Sequence, residues 1–367
     1  MNKFKLGTNF DYKLIYKIAE ANDKSDNAKV TEFYGSIRQH SALAARPDFR
    51  LPDVNEHDLE RYVKCAETHG IDFEYTLNSI NPYGSRVECA KHIDEIKQLV
   101  RRLYNMGVYR VSVANPMLLE IIAPLTDRPE IEISTIAHID TVTQIKYYHD
   151  VYGATKICAN LNKNRDFKWL KAAVAWCNAN DVELELMANE FCGVGNDTYA
   201  THCVYRDSCY ICHSTDKTED DAKLIDWYPM RLCTLGRNKN PANWLKMRFI
   251  RPEDLRYYNA IGINLFKLTG RTGSTDYIMK MLSAYMNEQW HDNLLGLWKP
   301  LESIIRDKSE NFAAYDIPND KLDGFIEFFA NGHCCDNEVC GETCKYCDNF
   351  YKERINERIR NLHSDIQ

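Results

Sequence analysis

No stretch of about 18 apolar residues occurs in this 367-residue chain, so the sequence offers no membrane-spanning helix. The first residues, MNKFKLGTNFDYKL, lack the apolar core and small-residue cleavage site of a secretory signal, which predicts a cytoplasmic protein. No G-x-G-x-x-G follows the first β-rich run, so dinucleotide binding has no support. Neither H-E-x-x-H nor G-x-S-x-G is present, and no nucleophile–base pair stands out. A formal charge of −7 argues against broad non-specific nucleic-acid binding, though a local basic patch remains compatible with it. Internal repeats and low-complexity linkers are also missing.

Cysteine, by contrast, is abundant: fourteen residues in a chain with no export signal. Cys65, Cys89, Cys158 and Cys177 stand alone in regular patterns and read as small buried hydrophobes. The others form two groups, Cys192, Cys203, Cys209, Cys212 and Cys233, then Cys334, Cys335, Cys340, Cys344 and Cys347. A reducing cytosol disfavours disulfides, so clustered thiols there point to metal.

Short β-rich runs alternate with helical patterns. Strands are expected at 4–9, 29–35, 72–78, 108–114, 130–136, 155–161, 182–188 and 262–268. Helix-like stretches fall at 57–70, 92–107 and 166–181, the first two closing on Gly70 and Gly107. Eight strands alternating with helices imply parallel pairing through right-handed crossovers, and eight is the number that closes a (β/α)8 TIM-like barrel. The expected layout is a barrel over 1–300 with a cysteine-rich insertion at 190–250 after the seventh strand. A helical extension over 301–367 then carries the second cysteine group. A loop after a barrel strand opens on the C-terminal face, where active sites of this fold sit.

Spacing limits the chemistry of each group. Cys209 and Cys212 form a C-x2-C pair that suits zinc or an iron–sulfur cluster, with His202 and His213 available as nitrogen ligands. Buried thiols without metal are the plainer alternative. Cys340, Cys344 and Cys347 spell C-x3-C-x2-C, a spacing shared with radical S-adenosylmethionine enzymes. In those enzymes the motif follows the first strand; here it trails the last, and Cys334 or Cys335 supplies a fourth thiolate. The tail is therefore expected to hold a second iron–sulfur cluster or a structural zinc, with His333 as a further ligand.

Other candidates sit near strand ends. Lys267 and Arg271 close the eighth strand, where an anionic group would bind; a structural ion pair with Glu32 or Glu185 is the alternative for Lys267. Glu190 suits proton transfer or capping of the insertion, and His138 is either a catalytic base or a satisfied loop histidine. Asn78 and Asn160 could orient a polar substrate.

These residues resemble the peptidase U32 family, the collagenase-like group that includes oxygen-independent hydroxylation proteins of ubiquinone, tRNA and rRNA. Glu190-Phe191, Cys203 and Cys209-Tyr210-Ile211-Cys212 follow the order of its signature, and Lys267-Leu268-Thr269-Gly270-Arg271 matches its eighth-strand motif. Pro252-Glu253-Asp254-Leu255 and Gly262 match the lead-in, and Leu77-Asn78 and Ser134-Thr135 look like further family positions. The likeness spans residues 4–290. Departures are Cys212 in place of Ser, Thr269 in place of Glu, a shorter gap between Cys203 and Cys209, and Met247 near a missing family cysteine. The resemblance implies a 4Fe-4S cluster on Cys203, Cys209 and Cys233, completed by Cys212 or Cys192. It further implies modification of a small molecule or RNA, and pairing as a homo- or heterodimer with a related barrel. The family's historical label makes peptidase activity the rival, and a non-catalytic iron–sulfur or zinc partner subunit is a third reading.

Overall fold

The computed structural model describes residues 1–190, 240–298, 317–335 and 338–355, together with Thr218 and Asp220. Eight parallel strands close into a barrel in sequence order: β1 (Asn2–Gly7), β2 (Ala28–Gly35), β3 (Asp72–Leu77), β4 (Arg110–Val113), β5 (Glu130–Ile133), β6 (Ala154–Cys158), β7 (Glu183–Met187) and β8 (Leu265–Leu268). All eight expected strands are present, several shorter than their hydrophobic runs. β5 stops at Ile133 because Ser134 caps a single 3-10 turn, its hydroxyl accepting from the Ile136 N–H. β8 begins late because Gly262, at φ 92°, closes the preceding turn.

Helices α1 (Tyr12–Asp23), α2 (Glu56–Thr68), α3 (Arg86–Lys91), α4 (Ile93–Asn105), α5 (Pro116–Ile122), α6 (Val142–Tyr152) and α7 (Phe167–Ala179) fill the first six crossovers. Local chemistry sets their limits. Asn55 accepts from the Asp58 N–H at the start of α2, and α6 opens with a capping box of Thr141 and Gln144 before ending at Gly153 in the left-handed region. The return from the insertion forms α8 (Asn243–Lys246) and α9 (Leu255–Asn259), and α10 (Thr275–Met286) follows β8. Two tail helices complete the described chain, α11 (Glu327–Ala330) and α12 (Tyr346–Arg354).

Successive strand residues face opposite sides. Phe4, Leu6, Phe73, Ile131, Ile157 and Phe266 pack outward in the apolar core. The inward face is charged. Each strand carries one or more buried ionisable residues: Lys5, Glu32, Glu74, Arg110, Glu132, Lys156, Glu185 and Lys267. Barrels of this class usually fill that space with Val, Ile and Leu.

The tail packs against the return of the β7–β8 connection. Asp348 of α12 accepts from Asn240 and pairs with Lys246 at 3.0 Å. Asn164, in the 3-10 turn Leu161–Arg165 after β6, donates to the carbonyls of Met187 and Arg248 at 2.8 Å each. Ile250 N–H donates to Ala188 O at 2.8 Å. These bonds fix the return segment, and the tail on it, at the C-terminal rim beside β6 and β7.

Candidate functional site

The interior charges assemble in two layers. Nearer the N-terminal end, Glu32 accepts from Arg110 at 2.9 Å and pairs with Lys156 at 2.5 Å. Above it, the Lys5 ammonium meets Glu74 at 2.8 Å, Glu185 at 2.9 Å and Glu132 in a still shorter contact. Lys267 joins this layer, 3.5 Å from Glu132, 3.6 Å from Glu74 and 3.9 Å from Glu185. Strand register places them together: Lys5 lies beside Lys267, Glu74 beside Arg110, and Glu132 beside Lys156.

Burial alone would lower the Lys5 ammonium, yet Glu132, Glu185 and Glu74 outweigh it and hold its pKa well above the ordinary value. Burial, then the Glu132 charge, pushes Glu74 well above the carboxylate range. Glu132 goes the other way. Burial would raise it, but Lys267 and Lys5 together hold it well below. Glu74 is therefore the one of the pair that the fold favours in its protonated form, beside Glu132 favoured as the ion.

Of the expected site residues, Lys267 is buried in this ion layer, paired with Glu185 among others and not with Glu32. Tyr34 covers the layer: its ring centroid is 4.3 Å from the Lys267 ammonium, and Arg271 lies 5.6 Å away across the same ring. Arg271 occupies the mouth, with Nε and Nη1 buried and without hydrogen-bond partners. His138 stands in the left-handed region at φ 55°, after the turn that follows β5. Glu190, half-buried, ends the first described stretch, and its charge reaches Arg46. Asn78 and Asn160 serve local structure: Asn78 Oδ1 accepts from Ala45 N–H at 3.1 Å and Asn160 Oδ1 from Asn162 N–H at 3.1 Å. Cys192, Cys203, Cys209, Cys212 and Cys233 lie outside the described residues.

The second cysteine group does come together. Cys335, Cys340, Cys344 and Cys347 line one pocket with Lys246, Arg248, Phe329 and Asp348. The backbone builds it: Val339 O accepts from the N–H groups of Glu342, Thr343 and Cys344, and Gly341 N–H donates to Cys344 O at 2.8 Å. That tight turn presents Cys340 and Cys344, and the start of α12 brings Cys347. Arg248 Nη1 donates to Cys335 Sγ at 2.8 Å, which picks Cys335 over Cys334 as the fourth lining thiol. Beneath the pocket, the Arg165 guanidinium is enclosed by the rings of Phe249, Phe325 and Phe329, each about 5 Å away. Burial pushes the Cys347 thiol up to about 12 and raises Cys340 and Cys344. His333 Nε2 lies 3.5 Å from Cys344 Sγ and forms, with Glu338 and Cys344, a group able to hold a metal.

Sequence reasoning missed Lys5, Glu74, Glu132, Tyr34, Arg46, Lys246, Arg248 and Arg165. The available signal was a charged residue in the middle of every strand, as in KFKLG, TEFYG, FEYTL and LFKLT, where apolar neighbours promise burial on both faces.

No protein-family model matches the chain. A curated protein of Methanocaldococcus jannaschii, named an uncharacterized protease, is 27% identical over 331 residues, covering 90% of this chain and 86% of its own. Among solved structures, a U32 peptidase is similar with a TM-score of 0.46 and 14% identity, covering 74% of this chain and 93% of its own. A citrate synthase follows with a TM-score of 0.39 and 10% identity, covering 78% and 91%. The likeness to the archaeal protein thus extends over nine-tenths of this chain and most of that protein's own length.

Proposed function

We propose that the chain is an iron–sulfur enzyme of U32 type, with a cluster held at the barrel rim by Cys335, Cys340, Cys344 and Cys347. The observation that carries this is the convergence of four thiols and two basic side chains, Lys246 and Arg248, on one pocket. Four thiolates around a metal centre keep a net negative charge, and neighbouring cations and N–H···S bonds stabilise it. Arg248 supplies such a bond.

Four thiolates can hold either a tetrahedral zinc ion or an iron–sulfur cluster, and the C-x3-C-x2-C spacing of Cys340, Cys344 and Cys347 favours the cluster. When bound, it would supply redox or Lewis-acid capacity. In the same reading, Cys203, Cys209 and Cys233, with Cys212 or Cys192, hold a 4Fe-4S cluster in the insertion.

The chain's own contribution is to bind and orient. Arg271 at the mouth takes an anionic part of the substrate, Lys267 holds the ion layer below it, and Glu190 or His138 moves a proton. Oxygen-independent hydroxylation, or a related modification of a small molecule or RNA, is the reaction that the resemblance favours, with a related barrel as pairing partner. Anaerobically purified protein should be brown and contain iron and acid-labile sulfide. Cys340→Ala with Cys344→Ala should remove one cluster's share, and Cys203→Ala with Cys209→Ala the other's. Colourless protein with stoichiometric zinc would overturn the proposal.

The name of the archaeal relative favours a second reading, a U32-type peptidase. Cleavage of casein or gelatin that survives metal removal would support it against the first.

A further inference from the structure

We infer that the barrel mouth binds an oxyanion of the substrate, a carboxylate or phosphate group, between Arg46 and Arg271. This deepens the reading of the mouth as the substrate site and rests on it.

Every cation on the inner face of the strands is neutralised. Lys5, Arg110, Lys156 and Lys267 each sit within 4 Å of two or three carboxylates. The two mouth arginines are not. Among the described residues neither forms an ion pair, and Arg271 has two buried nitrogens without a hydrogen-bond acceptor. Among the described residues, the titratable groups that bear on Arg271 are the Tyr34 and Tyr75 phenols, which burial keeps neutral. Around Arg46 stand Arg271, Tyr34 and Arg50, with Glu190 contributing least. Burial, then the Arg271 charge, pushes the Arg46 guanidinium down to about 9. Confining two like charges with so little counter-charge among the described residues is costly, and a bound anion removes that cost.

The surroundings hold this geometry in place. Gly7 leaves room for it: a Cβ there would lie 3.0 Å from both Arg271 Cβ and Tyr34 Oη. Gly270, at φ 131°, turns the chain after β8 so that Arg271 returns over the mouth. The loop bearing Arg46 is pinned to the end of β3 by the bond from Ala45 N–H to Asn78 Oδ1. Tyr34, with its hydroxyl donating to Leu268 O at 3.3 Å, separates the arginines from the carboxylates below. Those carboxylates already satisfy Lys267, which leaves the planar guanidinium forks to meet the ligand, a shape suited to bidentate contact with an oxyanion.

The test is calorimetric titration of the full chain with inorganic phosphate and, separately, with succinate, at constant ionic strength. Iron and sulfide are measured on the same samples. Wild-type protein should bind at least one of them, and the tighter one identifies the group. Arg46→Met and Arg271→Met should each weaken binding by about 10-fold or more, since each removes charge-assisted hydrogen bonds. Arg46→Lys and Arg271→Lys keep the charge and should fall between; they also stand in if a methionine variant fails to fold. Iron-loaded wild-type protein that binds neither anion, or affinity unchanged in both arginine variants, overturns the inference and leaves the iron–sulfur reading intact. Zinc-loaded protein that still binds through these arginines does the reverse.

Discussion

Glu132→Gln removes one negative charge from a closed layer in which Lys5 and Lys267 depend on it. Both ammoniums are almost wholly buried, and Glu132 is in contact with each. Taking one partner from a buried pair costs about 3–5 kcal/mol, because the remaining charge is left without compensation. For 367 residues, an unfolding entropy of about 2.1 cal/mol/K per residue gives roughly 0.8 kcal/mol per kelvin, so the melting temperature should drop by about 4–6 °C. Glu74→Gln is the control. The fold favours Glu74 in its protonated form, so an amide of the same shape should cost less stability at neutral pH than Glu132→Gln does.

The pH dependence separates the two further. Glu132 is held below its ordinary value of about 4.5, so its contribution is present above that value and disappears as pH falls through the folded pKa. The gap between Glu132→Gln and wild type should therefore shrink in acid. Glu74 is raised above about 4.5, so its contribution is full below that value and fades as pH rises towards the folded pKa. Denaturant unfolding followed by circular dichroism, from about pH 2 to 8, reads both. Equal losses for the two variants at pH 7, or a Glu132→Gln gap that does not narrow in acid, would refute the account of this layer.

Three other outcomes are expected. Gly270→Ala puts a side chain at φ 131° and within 3.3 Å of Tyr277, which should cost about 1–3 kcal/mol in thermal unfolding and weaken anion binding at Arg271. Arg248→Met removes the N–H···S bond to Cys335, so the purified variant should retain less iron after exposure to air than wild type does. His40, whose Nδ1 meets Tyr75 Oη at 2.6 Å and whose Nε2 meets Glu56 at 3.0 Å, is held below its usual range by burial. Its contribution is present above about 6.5 and lost as pH falls, so His40→Gln should flatten the stability profile on the acid side of neutrality.

KVTEFYG reads as a strand because β-branched and aromatic residues cluster in it, VELELMA because apolar and charged residues alternate, and a count of eight sufficed to imply closure. Helix limits were equally local, as with Asn55 and Gly153, whose side-chain cap and left-handed backbone need only their neighbours. The tail's C-x3-C-x2-C was legible for the same reason, since one tight turn holds most of it. The choice of Cys335 as fourth thiol was not, because it depends on Arg248 arriving from a distant part of the chain.

The sequence by itself determined the alternation of strands and helices, and with it the barrel and the local spacing of thiols. Those properties depend on short-range propensity and on periodicity, which are written in consecutive residues. Only the tertiary structure decided which charges meet. A one-residue change of register would turn Lys5, Glu132 and Lys267 from the interior to the helix-covered face. It alone also distinguished neutralised lysines from the mouth arginines, which form no ion pair among the described residues, because electrostatic pairing depends on distance in space and not along the chain.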